Sequence, residues 1–332
     1  MSLLDTLPEE EHRVVRRARQ PQWVEPMAAT LTDERFSDPD WIYERKLDGV
    51  RVLGFKGGGR VRLYSRTRHE QNGAYPEIVE ALEAQDPDMV VDGEVVAFEG
   101  QQTSFARLQG RLGLRDPDRA RRTGIAVFLY LFDLLHLEGH DLSRLPLRTR
   151  KSLLRRAIGF RSPLRFLTHR ATRGEAYYAE ACSKGWEGLI AKRASVPYQH
   201  RRSPDWLKFK CVAEQEFVIG GWTDPQGSRA GLGALLIGYH EDGALRYAGK
   251  VGTGFNERTL RDLRERLDGL ARPESPFDRG AALPRTAHWV EPKLVAQVGF
   301  TEWTHDGRLR HPRYLGLRED KRPRDVIRER PA

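Results

Sequence analysis

Tyr43-Glu44-Arg45-Lys46-Leu47-Asp48-Gly49-Val50-Arg51 is the stretch from which the rest of this chain is read. It sets one lysine in a strand-like, half-apolar segment. An acid sits two positions before the lysine, Asp-Gly follows Leu47, and an arginine comes five positions after. A protonated amine is a poor nucleophile, and neighbouring cations with partial burial lower its pKa. Arg45 and Arg51 are the candidates for that effect on Lys46. Asp48-Gly49 reads as a tight turn that leaves Lys46 at the edge of a cleft. Alone, the stretch reads equally well as a hairpin turn with solvated charges.

Moving outward, Asp92-Gly93-Glu94 sits between Met89-Val90-Val91 and Val95-Val96-Ala97-Phe98. Glu187-Gly188-Leu189-Ile190-Ala191-Lys192 is acid, turn, apolar run, cation. Trp206-Leu207-Lys208-Phe209-Lys210 alternates with period two, which points both lysines to one face of a strand. A lysine nucleophile, carboxylates on strands and paired lysines suit phosphoryl chemistry. Cations hold the phosphates and carboxylates hold a divalent metal.

The chain has 332 residues, enough for about two domains. Its 39% hydrophobic content supports folded cores, and no run of about 18 apolar residues offers a membrane span. The charged segment after Met1-Ser2-Leu3-Leu4-Asp5 does not read as a secretory signal. A net charge of +9 favours a polyanionic partner without choosing between DNA, RNA and an anionic membrane surface. Cys182 and Cys211 lack metal-ligand spacing or a disulfide framework and read as two reduced thiols. The ten histidines read as structural.

Residues 1–22 are Arg-rich and read as a short helix or a mobile arm. Strands are expected over 41–55 on both sides of Asp48-Gly49, and over 61–65, 89–98, 125–135, 189–193 and 206–210. Helices are expected over 77–85, 104–112, 147–158 and 174–184. The arginines of 119–122 and 148–156 read as solvated faces. After Lys210 short β-runs alternate with Gly and Asp turns, interrupted by one helix over 256–270. That pattern fits a small barrel or a sandwich. The charged tail over 321–330 is expected to fray.

In order and spacing, these stretches resemble the motifs of the covalent nucleotidyltransferases, which include ATP-dependent DNA ligases, RNA ligases and mRNA capping enzymes. Lys46-Leu47-Asp48-Gly49 with Arg51 is similar to motif I, Ser65-Arg66 to motif Ia and Asp92-Gly93-Glu94 to motif III. Tyr130-Leu131-Phe132-Asp133 is similar to motif IIIa, Glu187 through Lys192 to motif IV, Lys208-Phe209-Lys210 to motif V, and Arg318-Glu319-Asp320-Lys321 to motif VI. Tyr247-Ala248-Gly249-Lys250-Val251-Gly252-Thr253-Gly254-Phe255 and Leu309-Arg310-His311-Pro312 bring the likeness nearest to bacterial ATP-dependent ligases of the double-strand-break-repair type.

The resemblance implies an α+β fold. A nucleotidyltransferase domain of mixed sheets with helices, over 23–212, would be followed by an OB-fold barrel over 213–330. It implies that Lys46 takes AMP from ATP, passes it to a 5′-phosphate of nicked or broken duplex DNA, and leaves a 3′-hydroxyl to displace it. Glu44 would read the adenine amine, Phe132 would stack on the base and Glu94 would contact the ribose. Arg51 and Arg66 would contact phosphates, and Lys208 and Lys210 would cradle the α-phosphate. Arg318, Asp320 and Lys321 would orient pyrophosphate when the second domain closes. Glu187, with Asp48 and Asp92 as weaker candidates, would hold Mg²⁺ or Mn²⁺. Expected with these are a monomeric cytoplasmic, nucleoid-associated enzyme of end joining, a Ku-like end-binding protein, and separate polymerase and nuclease proteins.

Two readings compete: an RNA ligase or capping-type enzyme, and a non-catalytic DNA end-binding module. The Glu44 carboxylate disfavours a guanine-reading capping enzyme. The presence of Lys46, Glu187 and Lys208 disfavours a dead module. A NAD-dependent ligase would need a further domain before the lysine and zinc cysteines near the end. Gln297 and Leu315 depart from the Glu and Lys often found at those places in the repair ligases.

Overall fold

The structure, a computed structural model, describes residues 3–225, 231–278, 283–284 and 286–331. It divides into two compact units, Met1–Cys211 with Arg330–Ala332, and Val212–Glu329.

The first unit is built on two sheets. Strands β1 (Ala28–Leu31), β2 (Trp41–Lys46), β3 (Val50–Gly57), β4 (Arg60–Ser65), β5 (Met89–Glu99) and β6 (Val127–Leu137) come first in the chain. Short pieces at His169–Arg170 (β7), Gly188–Arg193 (β8) and Arg202–Lys210 (β9) follow. An eight-stranded sheet carries β4, β3, β5 and β6 side by side, with the two-residue strands Arg16–Arg17 and His140–Asp141 extending its edge. A five-stranded sheet runs β7-β2-β8-β9-β1. Helices α1 (Pro76–Glu83) and α2 (Leu147–Ala157) pack on the far face of the larger sheet. Helix α3 (Gly174–Ser183) covers the far face of the smaller one, over Tyr43, Leu189, Ala191 and Phe209. The inward faces enclose a third core that includes Met27, Leu47, Leu53, Phe132, Tyr198 and Trp206.

Asp48-Gly49 is therefore not a hairpin turn. β2 pairs with β7 and β8, β3 pairs with β4 and β5, and the residues between them cross from one sheet to the other. The crossing is tight. A Cβ on Gly49 would stand 2.2 Å from the carbonyl oxygen of Val95. The residues before β1 are docked rather than a free arm. Leu4 is buried in the main core, and Arg16–Arg17 pairs with His140–Asp141.

Cys182 and Cys211 form a disulfide, with Cα atoms 5.2 Å apart, where reduced thiols are expected from sequence. The pairing of β8 with β9 brings them together, because it returns the chain to the end of α3 and the Cys211 amide donates to the Glu187 carbonyl.

The second unit is a curled six-stranded sheet. Strands β10 (Ala213–Thr223), β11 (Ala234–Glu241), β12 (Ala244–Val251), β13 (Ala287–Phe300) and β14 (Arg313–Leu317) are its main members. β10 sits between β11 and β13, and β14 adds to the other edge of β13. One bridge, Thr253 to Arg313, joins the end of β12 to β14. Helix α4 (Glu257–Asp268) places Leu260, Leu263 and Leu267 in the core at helical spacing, and Asn256 caps it by accepting from the Thr259 amide. The tail does not fray over its whole length. Val326 is 5% exposed in the core and its carbonyl accepts from the His240 amide.

Candidate active site

Cross-strand register explains the site. In a sheet, directly opposed residues share a face, and so do residues two apart. Lys46 on β2, Gly188 on β8 and Lys210 on β9 form one row. Glu44, Ile190 and Lys208 form the next, and Ile42, Lys192 and Trp206 the one after. Glu44, Lys46, Lys192, Lys208 and Lys210 thus share the inward face. Gly188 sits at the centre of the first row with φ +146, and a Cβ there would lie 1.9 Å from the Phe209 carbonyl oxygen.

The opposing sheet supplies Arg51, Asp92 and Glu94 on one face, Arg51 being opposite Glu94. Phe132 arrives there through a bulge. Leu131 pairs with Gly93 and Asp133 with Asp92, which leaves Phe132 the extra residue. Its ring meets Trp206 edge-on at 6.2 Å, and the Lys192 ammonium lies 4.1 Å from its centroid.

Lys46, 19% exposed along its side chain, is in ion contact with Glu187. Burial acts to lower its pKa, but Glu187, then Glu94 and Asp48, outweigh burial and raise it. The sequence expectation of a depressed pKa is corrected. Successive strand residues alternate faces, so Arg45 turns away from Lys46 and lies 4.4 Å from the Trp186 ring. Arg51 is spent elsewhere. It donates to Asp92 at 2.9 and 2.5 Å, to the Met27 carbonyl and to Tyr198. Tyr198 donates to Asp92 at 2.7 Å and accepts from the Met27 amide.

The carboxylate of Asp92 is fully buried, and both of its oxygens are occupied by Arg51 and Tyr198. Asp92 thereby holds Arg51 in place. Asp48 accepts from the Phe105 amide and so anchors the single turn Phe105–Leu108. Arg66 lies half-buried just past β4. Arg318, Asp320 and Lys321 belong to the second unit. There Arg318 and Asp320 make a two-fold contact at 2.8 Å, and Lys321 pairs with Glu216 at 2.6 Å.

Among the described residues no group of three His, Cys, Asp or Glu side chains is placed to hold a metal ion. The Glu187 carboxylate beside Lys46 is a hard oxygen donor of the kind that Mg²⁺ or Mn²⁺ takes. Glu94 and Asp48 act electrostatically on the same ammonium. Mg²⁺ is commonly held by one or two carboxylates together with substrate phosphates.

Three buried groups of the site have no counterpart in the sequence reading. Arg150 and Lys151, expected on a solvated face, are 0% and 2% exposed. Arg150 forks onto Asp133 at 2.7 and 2.9 Å, and Lys151 contacts Glu44. Tyr198 is the third. Leu147, Arg150, Lys151 and Leu154 share the i, i+3, i+4, i+7 spacing of one helix face, and that was the available signal. Glu44 meets Lys192 as well, at 2.7 Å. Burial alone would raise its pKa, yet Lys151 and Lys192 lower it.

A lysine between two sheets, with cations in rows beside it and carboxylates opposite, is the kind of arrangement that nucleotidyl transfer through lysine needs. Comparison with known proteins narrows the class. The family described as ATP dependent DNA ligase domain matches residues 24–210, and that described as ATP dependent DNA ligase C terminal region matches residues 228–321. The chain belongs to the ATP-dependent DNA ligases.

It is 38% identical over 321 residues to the Multifunctional non-homologous end joining protein LigD of Pseudomonas aeruginosa, covering 94% of this chain and 37% of that one. It is 39% identical to the protein of the same name from Mycobacterium bovis, covering 92% and 40%. The chain thus spans about two fifths of the length of these relatives. The solved structure of mycobacterial DNA ligase D complexed with ATP and MES is 36% identical, with a TM-score of 0.64 over 92% of this chain and 98% of that one.

Proposed function

We propose that this chain seals 5′-phosphate/3′-hydroxyl nicks or breaks in duplex DNA, with Lys46 as the residue that carries AMP. The observation that carries this reading is the row Lys46–Gly188–Lys210 facing Glu94 and Phe132 across the cleft. The Lys46 amine, once it has given up its proton, attacks the α-phosphorus of ATP and pyrophosphate leaves. The 5′-phosphate of the DNA then takes AMP from the lysine, which regains its proton. The 3′-hydroxyl finally attacks that phosphate and AMP departs. Each step exchanges one P–O or P–N bond for another, so one difficult joining becomes three displacements.

Phe132 offers a ring face for the base, Glu44 an acceptor for its amine, Glu94 an acceptor for the ribose, and Lys208 and Lys210 charge for the α-phosphate. Arg66 is suited to the 5′-phosphate of the nick. A divalent cation at Glu187, with Asp48 close by, would neutralise charge on the phosphates. Arg318, Asp320 and Lys321 would act on the pyrophosphate end.

We read residues 23–212 as the adenylation domain and 213–330 as an OB-fold domain, the bridge between Thr253 and Arg313 favouring a barrel over a sandwich. The names of the relatives above favour end joining as the setting; a cytoplasmic enzyme working beside a Ku-like protein is part of the same proposal. The test is the intact mass of the purified protein incubated with ATP and Mg²⁺. One AMP should be added at Lys46 and removed again by pyrophosphate. AMP on another residue, or none in any preparation that joins DNA, overturns the assignment.

A further inference from the structure

We propose that Lys151 is a positioning residue for nucleobase selection: it aims the Glu44 carboxylate and keeps it charged, so that the pocket takes a base bearing an exocyclic amine and rejects one bearing a carbonyl there. This rests on the reading of Glu44 as the base acceptor. The geometry is specific. The three N–H bonds of the Lys151 ammonium go to Glu44 Oε1, to the Leu167 carbonyl at 3.0 Å and to the Phe132 carbonyl at 3.4 Å. Lys151 therefore spans Glu44 and the backbone of the stacking residue, and has no N–H left for a ligand.

The other carboxylate oxygen, Oε2, is paired with the Lys192 ammonium at 2.7 Å. It retains acceptor capacity, and the Lys192 ammonium beside it lies 4.1 Å from the Phe132 ring centroid. A carboxylate oxygen has two lone pairs, so a second donor can fill the one that Lys192 leaves. An amine donated by a base stacked on Phe132 would do so.

The charge on Glu44 depends on its surroundings. The groups facing it are Lys151 from α2, Lys192 from β8, its cross-strand partner His169 from β7, and Lys208 in the same row on β9. Glu44 is 1% exposed, so burial favours its neutral form whenever a lysine is removed. A neutral carboxyl has an O–H to give, and it would then accept a base carbonyl that the carboxylate repels.

The experiment measures formation of the enzyme-nucleotide adduct with ATP and with inosine triphosphate between about pH 6 and pH 9. In the wild type the preference for ATP should be flat with pH. In Lys151→Gln, whose amide can still serve the two carbonyls, KM for ATP should rise roughly 10- to 100-fold with kcat little changed. Its preference for ATP should also shrink as pH falls. Lys151→Arg should restore the flat profile. In a Glu44→Gln background, Lys151→Gln should add nothing further.

An equal loss in both backgrounds, or an ATP preference in Lys151→Gln that stays at the wild-type level at every pH, overturns the role of Lys151. Should Lys151→Gln fail to fold, Lys151→Met is compared within the Glu44→Gln background, where no buried carboxylate is left unpaired, and a loss there overturns the proposal likewise. Glu44→Gln alone separates the two ideas. If it leaves the choice between the nucleotides untouched, the base-reading role of Glu44 fails. If it abolishes the choice while Lys151→Gln does not, only the inference about Lys151 fails.

Discussion

Lys46 rests as a cation because Glu187, with Glu94 and Asp48, outweighs the burial that would neutralise it. On the proposed assignment of Glu187 to a metal and of Lys46 to AMP, the free enzyme holds its nucleophile proton-bound until that carboxylate is engaged elsewhere. Glu187→Gln should lower the Lys46 pKa, since the largest opposing charge is gone and burial remains. The pH at which Lys46 is half-labelled by an amine reagent, read by mass spectrometry without ATP, should fall by about one unit or more. An unchanged midpoint would show that Glu187 does not govern the proton. Lys46→Ala should form no enzyme-AMP yet still seal a nick supplied already adenylated, because the amine acts only in the first two displacements. Label from α-labelled ATP on that variant would remove Lys46 from its role.

At the scale of elements, α2 is a structural wedge as much as a basic helix. Its leucines fill the main core while Arg150 reaches Asp133 inside β6 and Lys151 reaches Glu44 on β2. Both members of the Arg150–Asp133 pair are fully buried. Asp133→Ala should cost about 3–5 kcal/mol, because it strands a buried guanidinium. Chemical denaturation that finds less than about 1 kcal/mol would mean that water reaches the pair. β8 has a different weak point. Gly188→Ala forces a side chain against the Phe209 carbonyl at a backbone angle that L-residues rarely adopt. It should weaken the β8–β9 pairing and with it the placement of Lys208 and Lys210. The expected result is loss of enzyme-AMP formation together with a lowered Tm, and a variant with wild-type Tm and activity would contradict it.

How much of these elements was legible depends on period. The β2, β3 and β9 segments and the faces of Lys208 and Lys210 follow from alternation in the sequence. The buried lysine and arginine of α2 were hidden by their residue type, although their spacing placed them with the leucines.

For the molecule as a whole, two units of one basic chain have to serve a polyanion. Log affinity for nicked DNA should fall linearly with log salt, by about 0.7–0.9 per phosphate contacted. A salt-insensitive affinity would contradict phosphate-led binding. Lys321 lies in the second unit, where Glu216 holds it, whereas Lys46 lies in the first. If the second unit supplies charge to departing pyrophosphate, Lys321→Ala should slow enzyme-AMP formation on the order of 10²-fold. Sealing of a pre-adenylated nick should stay near the wild-type rate. Equal losses in both assays would assign Lys321 to DNA or to the fold instead.

The order of the strands, the alternation that turns two lysines to one face, and the glycines at 49 and 188 were determined by the sequence itself, because each depends on a few neighbouring residues. Which sheet each strand joins was decided only in three dimensions. β2 and β3 are adjacent in the chain and part company at Gly49. The charge state of the site was decided there too. Glu44 meets Lys151 across 107 residues of chain, and Arg51 meets Asp92 across 41. The Cys182–Cys211 bond and the docked tail have the same origin. A side chain's pKa and partners are set by whatever folding brings within a few ångströms, and no local pattern records that distance.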